Sequence, residues 1–164
     1  MERIVGIDPG FRITGYGIVD LADDAIEPVL FEAGVFSLDR GLSMEQRLEQ
    51  LHSELGRLLD DRRPDRMVVE KLYSHYRHPQ TAILMAHARG VIILCAQQRQ
   101  ISIEHLPATE VKKAITGYGH ATKHQMQMAV QGQCHLAEPP SPPDVADAIA
   151  IALTLARRMA IGRL

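Results

Sequence analysis

Residues 3–19 read R-I-V-G-I-D-P-G-F-R-I-T-G-Y-G-I-V, two short runs rich in β-branched residues on either side of a D-P-G sequence. Asp-Pro-Gly is a strong turn signal, so the pattern predicts a strand over Arg3–Ile7 and a second strand over Ile13–Val19, joined as a hairpin. A third strand is predicted over Pro28–Phe36, after an acidic turn. The chain is therefore expected to open as an antiparallel meander.

Helices and strands alternate in the rest of the chain. Apolar residues at helical spacing predict a helix over Ser43–Leu59, with Ser43 and Gln46 as a capping box. The other predicted elements are strands over 67–70 and 101–105 and helices over 81–98, 107–114, 123–131 and 144–159. This order predicts a single α/β domain, residues 1–164, with a mixed five-stranded sheet flanked by helices.

Composition restricts the class of partner. The 164 residues carry a net charge of −2 and contain no apolar run long enough to cross a membrane. Residues 1–70 hold 15 acidic and 8 basic side chains, whereas residues 71–137 hold two acidic and seven basic ones. The basic segment favours a polyanionic partner, although a solvated helical surface has the same composition.

Cys95 and Cys134 lack metal-ligand spacing, so we expect free thiols in a reducing cytoplasm.

Four acidic residues stand out by their positions. Asp8 ends the first strand at a turn, and Glu70 ends the strand that begins at Met67. Either one alone could be explained as a turn cap or as a residue at the rim of the sheet. Asp144 and Asp147 lie three residues apart at the start of an apolar helix, so their side chains share one face. N-capping would account for only one of these two.

Carboxylates without a Cys or His triad select a hard cation that prefers oxygen ligands. The expected cofactor is therefore Mg²⁺, with Mn²⁺ as a substitute and two ions in each site. Two such ions can activate a water and stabilise the leaving oxygen in phosphodiester cleavage. Paired carboxylates also serve glycosidases, but the basic, aromatic-containing segment after Glu70 suits a polyanion better than a sugar. The residues thus predict a metal-dependent nuclease.

Over nearly its whole length the chain resembles the RuvC family of bacterial Holliday-junction resolvases. The matching motifs are G-I-D-P-G-F-R-I-T-G-Y-G at 6–17, V-V-E-K-L-Y at 68–73, A-R-G-V at 88–91, V-K-K-A-I-T-G-Y-G at 111–119 and D-V-A-D-A-I-A-I-A-L-T at 144–154. The first and last motifs are specific in combination, since G-I-D-x-G alone also opens actin-like ATPases. An actin-like nucleotide-binding protein would need greater length and a second Gly-rich loop, and the sequence has neither.

The resemblance implies an RNase H-like fold, a homodimer, and Mg²⁺-dependent, symmetrical nicking of four-way junction DNA in recombination and repair. It also implies association with a branch-migration complex. It maps the catalytic acids and metal ligands onto Asp8, Glu70, Asp144 and Asp147. A junction-binding protein without catalysis is the remaining alternative, and the presence of all four acids speaks against it.

The resemblance also identifies DNA-binding side chains. The family's aromatic residue after the glutamate falls on Tyr73, which could instead pack on the following helix, and Arg77 lies in the same stretch. Lys112 and Lys123 fall on the family's DNA-contacting surface, and Lys113 is an adjacent basic group. The helix that carries A-R-G-V is similar to the family's dimer helix, in agreement with its small residues.

Overall fold

The computed structural model describes residues 1–72 and 79–163. Five strands form one sheet in the order β3-β2-β1-β4-β5. They are β1 (Glu2–Asp8), β2 (Ile13–Leu21), β3 (Val29–Ser37), β4 (Arg66–Glu70) and β5 (Ser102–Leu106). The first three strands pair antiparallel, whereas β4 runs parallel to β1, and β5 parallel to β4. The predicted mixed five-stranded sheet is confirmed.

Helices cover both faces of the sheet. They are α1 (Met44–Arg62), α2 (Pro79–Gln97), α3 (Ala108–Thr116), α4 (Lys123–Gln133) and α5 (Pro143–Gly162). Side chains alternate along β1, so Val5 and Ile7 pack against α1 and α2 while Ile4 packs on the opposite face against α5. The sheet therefore separates two apolar cores, one under α1 and α2 and the other under α3, α4 and α5.

Helix α5 lies directly on β1 and β2 because these strands present glycines to it. A Cβ added at Gly6 would lie 2.6 Å from the backbone nitrogen of Ala152. A Cβ added at Gly15 would collide with the carbonyl oxygen of Asp144. Interiors are close-packed, so the missing side chains set how near the helix can come. The start of α5 is thereby held over the end of β1.

Element boundaries differ from the predicted ones by a few residues. The predicted capping box at Ser43 is present, but α1 continues to Arg62 and ends where Arg63 adopts a left-handed conformation with φ 47°. Strand β2 runs to Leu21, two residues further than predicted, because its pairing with β1 continues to Glu2. Packing and strand pairing thus extend both elements beyond the local sequence signal.

The two cysteines lie in helix α2 and at the end of helix α4. Cys95 is buried, Cys134 is partly buried, and both are free thiols. No helix within the described ranges is long and apolar enough to span a lipid bilayer.

Candidate active site

A cavity of about 860 Å³ opens where β1 and β4 end. Side chains from the β1–β2 turn, from the end of β4 and from helices α2 to α5 line it. The four acids predicted as metal ligands all belong to this lining, namely Asp8, Glu70, Asp144 and Asp147. Residues up to 139 positions apart in the chain therefore meet around one cavity.

The parallel pairing of β1 with β4 brings Asp8 beside Glu70. Ile7 is paired with Val69, and the acid that follows each of them is the last residue of its strand. Parallel strands end at the same edge of a sheet, so both carboxylates reach the cavity from that edge. Neither acid is an exposed surface charge, because both residues are partly buried.

The first turns of α5 supply the other two acids. The helix starts at Pro143, with Pro142 at the N-cap position, and no side chain caps it. Neither Asp144 nor Asp147 is therefore used as an N-cap, although the sequence pattern allowed that role for one of them. Both carboxylates remain available to the cavity, and the positive end of the helix dipole favours their negative charge.

Burial and mutual repulsion disfavour the charged forms of three of these acids. Burial raises the pKa of Asp8 well above its ordinary value, and Glu70, Asp147 and Asp144 raise it further. Burial and then Asp147 raise the pKa of Glu70 to about 7. The pKa of Asp147 is raised by burial and by Asp144. The cavity thus concentrates more negative charge than its surroundings compensate.

Two lysines at the cavity oppose this effect. Lys112 on α3 and Lys123 at the start of α4 both belong to the lining, and both lower the pKa of Glu70 and of Asp147. Lys113 points elsewhere: it is exposed and does not line the cavity. The structure therefore brings two of the three predicted DNA-binding lysines to the carboxylates and separates the third from them.

The turn after Asp8 contributes residues that the sequence interpretation left without a role. The buried Thr14 side chain donates a hydrogen bond to the Gly10 carbonyl oxygen at 2.8 Å and accepts one from the Gly10 N–H at 3.2 Å. These bonds hold the turn that follows Asp8. Arg12 lines the cavity from the same turn. Arg12 could have been identified in the sequence as a basic residue four positions after a candidate ligand. No sequence signal predicts the hydrogen bonds of Thr14 across the turn.

A model of the family described as crossover junction endodeoxyribonuclease RuvC matches residues 4–155 of the chain. The chain belongs to the RuvC family. The crossover junction endodeoxyribonuclease RuvC of Rhodopirellula baltica is 45% identical over 150 residues, which cover 92% of this chain and 83% of the relative. The RuvC of Fusobacterium nucleatum is 39% identical, with 98% of this chain and 85% of the relative covered.

Solved RuvC structures share this fold. The T. thermophilus RuvC in complex with Holliday junction substrate aligns with a TM-score of 0.88 and 30% identity, over 99% of this chain and 97% of that one. The yeast mitochondrial Holliday junction resolvase Ydc2 aligns with a TM-score of 0.65 at 13% identity, over 99% of this chain and 86% of that one, a likeness of fold alone. The RNase H-like fold predicted from the resemblance to RuvC is confirmed.

Two predicted DNA-binding residues, Tyr73 and Arg77, lie outside the described residues. The stacking role expected of Tyr73 from the family resemblance and the DNA contact expected of Arg77 from its side-chain chemistry stay predictions. Leu72 is the last described residue before them, two positions after Glu70.

The four carboxylates of the cavity have the ligand chemistry that a hard divalent cation requires, but their side chains are not yet arranged to coordinate one ion. Within residues 1–72 and 79–163, no three acidic, histidine or cysteine side chains are arranged to hold one metal ion together. The four acids nevertheless all line one cavity, and Asp8 and Glu70 are close enough to other acids of the set for those charges to raise their pKa values. Carboxylate oxygens are nevertheless the ligands that Mg²⁺ and Mn²⁺ prefer, and a cation would compensate their charge. The donor chemistry therefore fits such a cation, and rotation of the side chains would have to complete the coordination.

Proposed function

We propose that this chain is a structure-selective endonuclease that resolves four-way (Holliday) DNA junctions by paired, symmetrical nicks, in recombination and DNA repair. Membership of the RuvC family supports this reaction, because the relatives are crossover junction endodeoxyribonucleases. A relative that is 30% identical is solved in complex with Holliday junction substrate. The observation that carries the proposal is the cavity whose lining combines four carboxylates with Lys112 and Lys123.

Our assignment of metal ligands is Asp8, Glu70, Asp144 and Asp147, holding two Mg²⁺ ions for which Mn²⁺ can substitute. The raised pKa values of Asp8, Glu70 and Asp147 support it, since a bound cation would offset both their burial and their mutual repulsion. Such ions, when bound, would supply Lewis-acid activation of a water and charge stabilisation of the leaving oxygen. Glu70, with a pKa of about 7, has to give up its proton before it can act as a ligand.

The remaining lining residues would position the phosphodiester. Lys112 and Lys123 carry positive charge at the edge of an acidic cavity, which suits contacts with the phosphates on either side of the cleaved bond. Leu84, Met85 and Met126 supply apolar walls. Such walls exclude bulk water and strengthen the electrostatic interactions inside the cavity.

Further DNA contacts are assigned to Tyr73, Arg77 and Lys113. Tyr73 and Arg77 would stack on unpaired bases near the junction centre, where aromatic and guanidinium groups contribute about 1–3 kcal/mol per base. Lys113 is exposed and outside the cavity lining, so its contact would be with a phosphate further along a duplex arm. Such contacts add affinity that depends on salt without orienting the cleaved bond.

The functional unit is proposed to be a homodimer formed through helix α2. One face of α2 is exposed yet apolar, and Ile83 and Leu94 on it are 57% and 52% exposed. Ala86 and Gly90 lie between them at helical spacing and are exposed as well. A small-residue stripe between two large apolar side chains would let a second copy approach closely. Two-fold symmetry would then present two sites in opposite orientation, as symmetrical nicks require.

Two further assignments rest on the family. A branch-migration complex is the proposed partner, because a nuclease for four-way junctions acts on a structure that such a complex moves along DNA. The cytoplasm is the proposed location, and the two free thiols agree with a reducing compartment.

The decisive experiment incubates the purified chain with a labelled synthetic four-way junction and either Mg²⁺ or Mn²⁺. A linear duplex of the same sequence is the control substrate. The proposal requires paired nicks on strands of like polarity in the junction, no cleavage without metal and little cleavage of the duplex. Junction binding without cleavage across both metals and several junction sequences would instead support a binding protein without catalysis.

A further inference from the structure

Arg89 connects helix α2 to the ends of two strands of the sheet. Its Nε donates a hydrogen bond to the carbonyl oxygen of Glu70 at 3.1 Å, and its Nη2 lies 2.8 Å from Nδ1 of His105. Because a guanidinium group carries only donors, His105 must accept through Nδ1 and carry its proton on Nε2. Arg89 therefore bridges α2, β4 and β5 at the residue that ends β4.

The peptide group between Glu70 and Lys71 is held at both of its polar atoms. The Lys71 N–H donates to the Leu106 carbonyl oxygen at 2.9 Å, and the Glu70 carbonyl oxygen accepts from Arg89. On its other side β4 has left its neighbour, because the pairing with β1 ends at Val69. Strand β5 thus still holds the Lys71 N–H, whereas Arg89 holds the Glu70 carbonyl oxygen beyond the last residue of β4 that pairs with β1.

The surroundings of Arg89 keep this bridge in one protonation state. Burial, and then the charges of Arg89 and Lys71, lower the pKa of His105 below its ordinary 6.5, which favours the neutral imidazole at pH 7. A neutral imidazole with its proton on Nε2 is the form that can accept from Arg89. Among the described residues no acidic side chain forms an ion pair with Arg89. The half-buried guanidinium group of Arg89 therefore donates hydrogen bonds to two neutral acceptors and forms no ion pair with a described acid.

We infer that Arg89 is a positioning residue for Glu70. By fixing the carbonyl group of Glu70 it fixes the backbone from which that side chain leaves the strand, and so the direction of the carboxylate toward Asp8 and Asp147. The inference rests on the proposed function, in which Glu70 is a metal ligand. Groups that orient a ligand typically change metal affinity or activity by about 10–100-fold when they are replaced.

The test compares Arg89→Gln with a matched variant, Arg99→Gln. Arg99 also combines a side-chain partner with a main-chain one, since its Nε donates to Asp60 at 2.7 Å and its Nη1 to the Cys95 carbonyl oxygen at 3.2 Å. It lies outside the cavity lining. Three quantities are measured for each protein: the junction Kd, the single-turnover cleavage rate at saturating enzyme, and Mn²⁺ affinity without DNA by electron paramagnetic resonance. Thermal unfolding supplies the stability of each variant.

Arg89→Gln is expected to weaken Mn²⁺ binding and slow single-turnover cleavage by about 10–100-fold, while the junction Kd stays within about twofold. Arg99→Gln should lower only the Tm. Two variants of the acceptor add a rescue: His105→Gln keeps an accepting oxygen and should stay near wild type, whereas His105→Phe should share the defect of Arg89→Gln. If Arg89→Gln fails to fold, the two His105 variants and Arg89→Lys can be measured in its place.

Two results would overturn the inference. Wild-type Mn²⁺ affinity and cleavage rate in Arg89→Gln would reduce Arg89 to a structural residue, and a defect confined to the junction Kd would make it a DNA contact instead. Failure of the proposed function looks different, because the wild-type chain itself would then leave the junction uncut. Even in that case the Mn²⁺ affinities of the variants still decide whether Arg89 orients Glu70.

Discussion

Asp8 and Glu70 are the terminal residues of two neighbouring parallel strands, and both line the same cavity. Burial is the main cause of the raised pKa of Asp8, and the negative charge of Glu70 raises that pKa further. Without a cation, a fully ionised site therefore opposes folding. The pH dependence of stability should report this cost directly.

The first prediction concerns Glu70 in protein freed of metal with EDTA. Its pKa is about 7 in the folded chain and 4.5 for an ordinary glutamate, so the folded state binds the proton more tightly. The free energy of unfolding must then fall as pH rises through this window, from about 4.5 to about 7. Glu70→Gln removes this pH-dependent contribution to the free energy of unfolding. Its Tm should exceed that of wild type by about 2–4 °C at pH 8 and by little or nothing at pH 5.

Differential scanning fluorimetry of both proteins across pH 5 to 8 provides the measurement. His105 titrates in the same window with a lowered pKa, so its contribution is lost as pH falls, but it is present in both proteins and cancels in the difference. Addition of Mg²⁺ at pH 8 should raise the Tm of wild type more than that of Glu70→Gln. A Tm difference that does not change between pH 5 and pH 8 would contradict the prediction.

The second prediction separates chemistry from binding at the acids. Asp8→Asn, Asp144→Asn and Asp147→Asn each remove a proposed metal ligand, so the single-turnover cleavage rate should fall by at least about 100-fold. The junction Kd should change little at constant Mg²⁺, because the lysines remain. Asp8→Asn should also raise the Tm of the metal-free protein, since it removes a buried charge whose pKa is raised.

Asp61→Asn is the control for these acids, since Asp61 is an exposed residue of α1 outside the cavity lining. Its cleavage rate, junction Kd and Tm should match those of wild type. Cleavage of a labelled junction by Asp8→Asn or Asp147→Asn at the wild-type rate would rule out the proposed metal centre.

The third prediction distinguishes the lysines. Lys123→Gln removes a charge that lines the cavity, so it should slow cleavage even at saturating enzyme and raise the pKa of Glu70 further. Lys113→Gln changes an exposed side chain away from the cavity. It should weaken junction binding, with a salt dependence of log K reduced by roughly one unit, while the saturating rate is unchanged. Equal effects of both substitutions on that rate would contradict this division.

The sequence predicts where each acid lies on its element but not how the elements meet. Asp8 and Glu70 are recognisable at strand ends, whereas the pairing of Ile7 with Val69 that brings them together is a long-range contact without a local signal. Lys112 and Lys113 look alike in the sequence. Adjacent helical residues point about 100° apart, so only a known orientation of α3 shows that Lys112 lines the cavity.

Contacts made by a single long side chain are the least predictable part of the site. The bond from Arg89 to the Glu70 carbonyl oxygen joins residues 19 positions apart and depends on how α2 is placed along its axis relative to the end of β4. Hydrophobic periodicity predicts that α2 is a helix, but it carries no information about which polar atom a given arginine reaches. The contacts of Arg89 with Glu70 and His105 therefore cannot be predicted from the sequence and are defined only by the three-dimensional structure.

The fourth prediction tests the glycine contact that positions α5. An alanine at Gly15 would place its Cβ against the Asp144 carbonyl oxygen, so α5 would have to shift at its start. Gly15→Ala should therefore lower the Tm and the cleavage rate together. Gly132→Ala is the matched control, because an added Cβ there meets no atom within 4 Å and Gly132 lies in α4. Alanine should leave cleavage unchanged there and raise stability by about 0.5–1 kcal/mol.

The fifth prediction concerns the proposed dimer. Leu94→Glu places a charge on the exposed apolar face of α2, where a second copy would bury it without a partner. We expect a monomer by sedimentation velocity, and loss of paired nicking even where single nicks persist. The matched control is Met128→Glu, a comparably exposed apolar residue (47%) on α4, away from that face.

Because both substitutions add the same charge at a surface position, a general effect on solubility or on DNA repulsion should appear in both. Only Leu94→Glu should change the sedimentation coefficient. A wild-type chain that already sediments as a monomer, with and without junction DNA, would contradict the dimer. Two symmetrical nicks would then need two independent binding events. A circular junction substrate that reports both nicks within one encounter would show whether the nicks are independent.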